Sequence, residues 1–206
     1  MTRWGVLADI HGNLPALERA LVGFQIRQVD SISVLGDNLG RGDSDGCIEL
    51  IRQVADVSVV GNRDLDWQDR VGTAAREYVR SLPRVAIVDR LAFSHGDARL
   101  TRDLSSDDIR RDFRRAHDWL AANGCRVWLF GHTHRARIWT SGSGDVSPRL
   151  LFDAATEPLP TTVRLDPTAD FWVVNSGSVG LPFPGKGPAS ATVFDTDADT
   201  VEVFPI

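Results

Sequence analysis

Two fragments of the chain carry a metal-binding residue pair at a spacing of two, Asp9-Ile10-His11 and His132-Thr133-His134. Each follows an apolar run, Val6-Leu7-Ala8 in one case and Val127-Trp128-Leu129-Phe130 in the other. A carboxylate and an imidazole at the C-terminal edge of a strand make half of a metal site. If extended geometry continues through the first turn, Asp9 and His11 project to the same side. Three more fragments repeat the pattern: Gly36-Asp37, Gly61-Asn62 and Ser94-His95-Gly96. Taken singly, each has a plainer reading, with Asp9 capping a turn, His11 a loop histidine and Asp37 part of a flexible Gly/Asp turn. Taken together, strand ends supply Asp9, His11, Asp37, Asn62, His95, His132 and His134, which include four of the five histidines. Seven such groups are too many for one tetrahedral zinc and suit two metals sharing a bridging carboxylate. Mixed imidazole and carboxylate donors favour Mn, Fe, Co, Ni or Zn over Mg or Ca.

The elements that must position these residues follow from periodicity and punctuation. Asn13 caps a helix with Pro15 in its first turn, running to about Phe24 on the stripe Leu14, Leu17, Leu21, Phe24. Ser31 to Leu35 is a second strand, so the chain opens β-α-β, which predicts a parallel pair. Asp43 or Ser44 caps a helix to about Ala55; Val57 to Val60 is a third strand, and a helix follows from about Leu65 to Ser81. Val85–Val88 and Leu91–Ser94 form a hairpin about Asp89-Arg90. A helix from Ser105 or Ser106 to Ala122 buries Ile109, Phe113, Ala116 and Leu120. It leaves His117 beside that stripe, where it reads as structural or solvated. Arg126 to Phe130 is a strand. Ile138-Trp139-Thr140, a Gly/Ser loop at 141–147 and an antiparallel ribbon plus loop to about Asp170 come next. The strand Phe171 to Val174 runs into Asn175-Ser176-Gly177-Ser178-Val179-Gly180, and a last hairpin joins Ala191–Asp195 to Val201–Phe204.

Composition narrows the function classes. With 206 residues, 42% hydrophobic, the chain suits a single domain over 1–206 with a sizeable core. A net charge of -5 argues against a broad nucleic-acid-binding surface. No apolar run is long enough to span a bilayer, and no signal-peptide pattern opens the chain, so a cytoplasmic location is expected. Cys47 and Cys125 form no CxxC pair or disulfide framework and read as small buried hydrophobes. Lys186 is the only lysine among 23 basic residues, a compositional bias toward arginine.

The ordered set D-x-H, G-D, G-N, H-G and G-H-x-H resembles the calcineurin-like metallophosphoesterase superfamily, over nearly the whole chain from Asp9 to Val179. Within it the chain is most similar to the small bacterial and archaeal phosphodiesterases of the YfcE-like group. The resemblance implies an α/β fold, a four-layer α/β/β/α sandwich with two facing mixed β-sheets. It places Asp9, His11 and His134 on a first metal, Asn62, His95 and His132 on a second, and Asp37 as the bridge. The implied cofactors are two divalent transition-metal ions, manganese foremost, with Fe, Ni, Co or Zn compatible. The implied activity is hydrolysis of small phosphate esters, phosphodiesters above all, by a metal-bridging hydroxide. Asp37, Asn62 and Arg63 are then the catalytic residues, and Arg63, Arg41 and Asn62 the phosphate-binding ones. Asp64 and Asp97 are candidates to orient the imidazoles. Gly177 to Gly180 looks like the family's late turn, structural in role.

Two positions depart from the commoner family pattern. Where many relatives place a leaving-group histidine after G-N, this chain has Arg63, which cannot act as a general acid. It can donate paired hydrogen bonds to phosphate, or turn outward to Asp64 or Asp66. Arg41 stands where some phosphoprotein phosphatases carry a phosphate-binding arginine, and reads equally as an exposed loop residue. The rival functions are a phosphoprotein or nucleotide phosphatase of the same superfamily and a non-catalytic scaffold on the same fold. A scaffold is expected to have lost some of the seven residues, and all seven stand. A homo-oligomer is compatible with the sequence.

Overall fold

The computed structural model describes residues 2–96, 109–142 and 145–206. It holds two six-stranded mixed sheets laid face to face. The first contains β1 (Arg3–Leu7), β2 (Ser31–Val34), β3 (Val57–Ser58), β9 (Thr161–Arg164), β11 (Ser190–Asp195) and β12 (Thr200–Pro205), in the order β3-β2-β1-β11-β12-β9. The second contains β4 (Val85–Val88), β5 (Leu91–Ser94), β6 (Val127–Phe130), β7 (Arg137–Gly142), β8 (Asp145–Asp153) and β10 (Trp172–Asn175), in the order β4-β5-β6-β10-β7-β8. β1, β2 and β3 run parallel in one sheet, and β5, β6 and β10 in the other. Their C-terminal ends carry the candidate ligands.

Strand alternation divides the apolar side chains into three cores. Trp4, Val6 and Ala8 of the first sheet meet Phe93, Leu129, Ile138, Trp172 and Val174 of the second, forming the layer between the sheets. Leu7, Val34 and Val193 point the other way, onto α1 (Leu14–Ile26), α2 (Ser44–Val54) and α4 (Thr73–Ser81). Ala92, Trp128, Phe130 and Val173 pack on Phe113, Ala116 and Leu120 of α5 (Ile109–Ala122). The result is the expected α/β/β/α sandwich. Each large side chain so buried contributes about 1.5–3 kcal/mol.

Local signals are visible in the caps. Asn13 Oδ1 accepts from Ala16 N at 3.2 Å, and Asp43 Oδ1 from Gly46 N at 2.8 Å. Cys47 and Cys125 are both buried, and burial pushes the Cys47 thiol up to about 12. His117 hydrogen-bonds Asp118 and lies against Phe171, a structural setting.

Three element expectations need correction. The helix drawn from Leu65 to Ser81 is instead α3 (Asn62–Trp67), a 3-10 turn (Gln68–Arg70) and α4. Gly72 interrupts it because Asp45 Oδ1 takes the Gly72 amide at 2.9 Å, diverting the chain into a new helix start. The third strand stops at Ser58. The described residues of the loop expected at 141–147 are strand, since β7 and β8 pair antiparallel with register shifts near Ile138 and Ser141. The proposed cap of the fifth helix at Ser105 or Ser106, and the side chain of Ile109, lie outside the described residues.

The hairpin of β7 and β8 is tied down by charge. The buried Asp153 carboxylate accepts from Arg135 Nε at 2.6 Å, Arg135 Nη2 at 2.5 Å and Arg137 Nε at 2.9 Å. Burial works to raise this carboxyl, but the Arg135 hydrogen bonds, the Ala155 amide and Arg137 outweigh it and hold it below the usual Asp value. Asp153→Asn should therefore cost about 3 kcal/mol or more at neutral pH, as breaking a buried pair does. A depressed folded-state value contributes stability above the unfolded value, about 3.9, that is lost as pH falls through the folded value. The gap between parent and variant urea midpoints should accordingly be wide at pH 7 and narrow below about pH 4.

Candidate metal centre

The chain leaves extended geometry before it reaches the candidate ligands. Asp9, His11, Asp37, His132 and His134 all have φ between 51° and 68°, in the left-handed region. The expectation that Asp9 and His11 face one way because a strand continues is thus corrected. β1 ends at Leu7, and two left-handed residues flanking Ile10 bring both side chains to one place, with His11 Nε2 3.8 Å from Asp9 Oδ1. Such a conformation costs of order 1–3 kcal/mol per residue and persists only where its surroundings enforce it.

Backbone bonds supply that enforcement. Past the strand ends, Asp9 N donates to Gly36 O, His11 N to Asp37 O, Gly131 N to His95 O and Gly180 N to Asp9 O, all within 3.0 Å. The two sheets meet where His132 N donates to Asp9 Oδ2 at 2.8 Å. A side chain at Gly131 would collide with Ala8 and Asp9, and one at Gly61 with Asp37. Those two glycines let the turns approach this closely.

The acceptor atoms converge as two groups. In one, Asp9 Oδ1 lies 3.3 Å from His134 Nε2, and His11 Nε2 lies 3.3 Å from His134 Nε2 and 3.8 Å from Asp37 Oδ2. In the other, His95 Nε2 lies 3.3 Å from Asp37 Oδ1, 3.2 Å from Asn62 Oδ1 and 3.1 Å from His132 Nδ1. Asp37 directs one oxygen into each group. All seven residues expected from the sequence are brought together, and Asp9, Asp37, His95 and His134 among them are buried.

Their tautomers follow from the far ring nitrogens. His95 Nδ1 meets Leu35 O at 2.8 Å and His134 Nδ1 meets Leu181 O at 2.6 Å. A carbonyl only accepts, so both Nδ1 atoms carry a proton and both Nε2 atoms are turned to the centre, where each can offer a lone pair once it is unprotonated. Both Nε2 atoms face carboxylate oxygens. Asp9 Oδ1 is fully buried and has no hydrogen-bond donor among the described residues. An unprotonated His134 Nε2 3.3 Å from a carboxylate oxygen without a donor fits a cation between them, and the donor set of imidazole, carboxylate and amide oxygen fits transition metals.

At His95 a proton stands where a cation would bind. Burial works against a charged His95, but the Asp37 hydrogen bond and the charges of Asp9 and Asp37 raise its imidazole to about 9. Burial opposes ionisation of Asp37 too, yet the His95 hydrogen bond and charge, with the Arg63 amide, hold its carboxyl below the usual value. His134 lies below the ordinary histidine value, because burial outweighs the Asp9 charge.

Residues around the centre sort differently from expectation. Asp64 does not orient an imidazole. Its buried carboxylate collects the amides of Asp37, Asn38, Leu39 and Gly61 at 2.7–3.0 Å, stitching the Asp37 loop to the Asn62 turn. Burial lifts its carboxyl to about 6 against those amides. Asp97 lies outside the described residues. Ser178 Oγ donates to Asp9 O at 2.9 Å and accepts from Leu181 N, which makes the late turn structural, as the resemblance implied. Arg63 lies on the cavity wall beside the centre with its side chain 54% exposed, and its Nη1 is 3.9 Å from Asp66 Oδ2. Arg41 is exposed on the wall of a larger adjoining cavity. Sequence reasoning missed Asn175, whose Nδ2 donates to Gly131 O and Thr133 Oγ1, and Lys186, whose Nζ donates to Thr133 O at 2.7 Å. Asn175 carried the same signal as the others, a polar residue closing an apolar strand, and Lys186 was marked as the only lysine.

Two outcomes follow. Asp64→Asn sets an amide donor among four amide donors, so it should lower unfolding stability by about 3 kcal/mol or more and loosen metal retention. Urea unfolding and metal content after gel filtration check both. Metal uptake by His95 must displace a proton at pH below about 9. Calorimetric titrations in two buffers of different ionisation enthalpy should therefore show net proton release at pH 7, and a His95→Ala variant should release less.

Comparison with known proteins places this geometry. An uncharacterized protein of Methanocaldococcus jannaschii is 27% identical over 229 residues, spanning 98% of this chain and 86% of that protein. The crystal structure of a metallophosphoesterase from Sphaerobacter thermophilus matches with a TM-score of 0.76 at 25% identity, over 99% of this chain and 88% of that one. Yfce, a phosphoesterase from E. coli, shares the fold with a TM-score of 0.50 at 21% identity, over 95% and 89% of the two chains. The model of the calcineurin-like phosphoesterase superfamily domain matches residues 2–199, and with the sandwich and the Asp/His cluster already described, the chain belongs to that superfamily as a metallophosphoesterase.

Proposed function

We propose that the chain works as one metallophosphoesterase domain over 1–206, in the cytoplasm, hydrolysing small phosphate esters and phosphodiesters in particular. Asp9, His11 and His134 hold one divalent ion, Asn62, His95 and His132 a second, and Asp37 spans both. The carrying observation is the buried Asp9 Oδ1, which has no hydrogen-bond donor among the described residues and lies 3.3 Å from His134 Nε2. Two divalent ions held by these residues, manganese foremost, would supply a water of lowered pKa and polarisation of the phosphoryl oxygens. The Leu35 and Leu181 carbonyls take the Nδ1 protons and so aim each Nε2 inward. The Arg63 amide fixes Asp37 Oδ1 at 2.7 Å, so this residue acts through its backbone as well as its guanidinium. Asn62 and Arg63, both on the wall of the same cavity, are placed to contact a phosphate oxygen, and Arg41 to contact a more distant anionic group.

The diester preference comes from what Arg63 cannot do. Arginine stays protonated at any working pH and gives no proton to a leaving oxygen. Esters with a good leaving group suffer least from that, and simple alkyl phosphates suffer most.

The test is hydrolysis of bis(4-nitrophenyl) phosphate. Chelation should abolish it, and Mn, Ni or Co should restore it more fully than Mg. Loss of an outer-shell partner of a metal ligand costs 10–100-fold, so Asp37→Asn should cost about 100-fold or more. Undiminished hydrolysis after exhaustive chelation would overturn the reading.

A further inference from the structure

Two cavities meet at the candidate centre and form one cleft, because His11, Arg63, Leu181 and Phe183 line both. The smaller, about 230 Å³, holds the ligand cluster with Arg63 and Lys186 on its wall. The larger, about 730 Å³, is walled by Pro15, Leu39, Trp67, Leu181 and Phe183, with Arg41 at its edge. The first suits a phosphoryl group and a few waters. The second has the size of a small-molecule site and an apolar wall. A substrate ending in a small alkyl group would leave that wall to water.

The wall is also held in place. Leu181 is 40% exposed and Phe183 43%, yet the segment that carries them is pinned to the centre at three points. Leu181 O takes His134 Nδ1, the Phe183 ring lies 4.6 Å from that of His134, and Lys186 Nζ reaches Thr133 O. Across the cleft, Trp67 carries the Arg70 guanidinium 4.5 Å from its ring. Pinned, exposed apolar side chains beside a polar reaction centre are pre-organised to bury a partner rather than to collapse on one another. Trp and Phe rings and the planar guanidinium of Arg41 are all surfaces on which a flat ring stacks.

We propose that the larger cavity is the specificity subsite of this centre, and that it takes a planar aromatic ester group of a phosphate ester seated at the ligand cluster. The assignment rests on the metallophosphoesterase reading. Trp67 and Phe183 are its specificity-determining residues.

Non-hydrolysable phosphonates test it without turnover. Calorimetry on the full, manganese-loaded chain would compare 1-naphthylphosphonate with methylphosphonate. The parent should favour the naphthyl compound by about tenfold or more, the range that an apolar subsite confers. Trp67→Ala and Phe183→Ala should each reduce that preference at least about fivefold, and Trp67→Phe should keep most of it. Phe183 lies on an exposed segment, so its variant serves even if Trp67→Ala does not fold. Equal affinity of the parent for both compounds, or a preference unchanged in Phe183→Ala, overturns the proposal. Turnover of bis(4-nitrophenyl) phosphate, measured alongside, separates the two readings. A naphthyl preference without turnover supports the subsite and sinks the phosphoesterase activity, whereas turnover without preference sinks the subsite alone.

Discussion

Acceptor atoms pointed at one another in a buried pocket are the constraint on which this structure turns. Asp9 and Asp37 carry their carboxylates into a place where the neighbouring groups are imidazole nitrogens and an amide oxygen. Burying an unpaired carboxylate costs several kcal/mol. The fold adds five left-handed backbones among the same residues. His95 and the Arg63 amide offset part of the burial cost for Asp37, and the His132 amide for Asp9 Oδ2. Asp9 Oδ1 has no donor among the described residues, so the rest must come from cations in function and from the surrounding scaffold in folding.

The scaffold's share is carried by backbone amides more than by side chains. Continuing β-type pairing past the strand ends ties the Asp9 turn to the Asp37 loop and to the Val179–Gly180 turn. Asp64 gathers four further amides, and Asn175 holds the His132 loop from beneath. The left-handed turns are held by backbone bonds at Asp9, His11 and Gly12 and by the Asp64 and Asp9 carboxylates at the Asp37 and His132 amides. Both sheets contribute: Asp9, His11, Asp37 and Asn62 follow strands of one, and His95, His132 and His134 follow strands of the other. Because the sheets pack through Trp4, Val6, Phe93 and Leu129, the inter-sheet core sets the distance between the halves of the site.

How much of this was legible in the sequence depends on how few substitutes a residue has. The seven candidate ligands stood out because few side chains offer a metal a donor, and each closed an apolar strand. The sandwich was legible from the same strands and from Asn13, Asp43 and the apolar stripes of the helices. Hidden were the features with no side-chain signature. Leu35 and Leu181 orient imidazoles through carbonyls that every residue possesses. The left-handed turns at Asp9 and His11 were masked by a spacing that extended geometry explains equally well. Asp64 looked like a partner for an imidazole, and only the folded chain shows that its oxygens are taken by amides. The break at Gly72 depended on Asp45, 27 residues away, and the pairing of β7 with β8 ran through residues that look like a Gly/Ser loop.

Charge connects the centre to the kind of molecule it can accept. The chain as a whole is negative, at -5, so an anionic ester gains nothing from long-range attraction to the surface. Locally the balance would reverse: two divalent ions held there would outweigh the two carboxylates, and Arg63 and Lys186 add positive charge on the same wall. That excess matches the one or two negative charges of a phosphate ester. Screening confines it to roughly 8–10 Å at physiological salt, which favours a small anion inside the cleft over a polyanion lying across the surface. The apolar wall beyond then has to supply whatever discrimination charge cannot. Phosphate esters differ little at the phosphorus and greatly in what is attached to it, so in the proposed subsite specificity falls to the side chains of Trp67, Leu181 and Phe183, none of which is a candidate metal ligand.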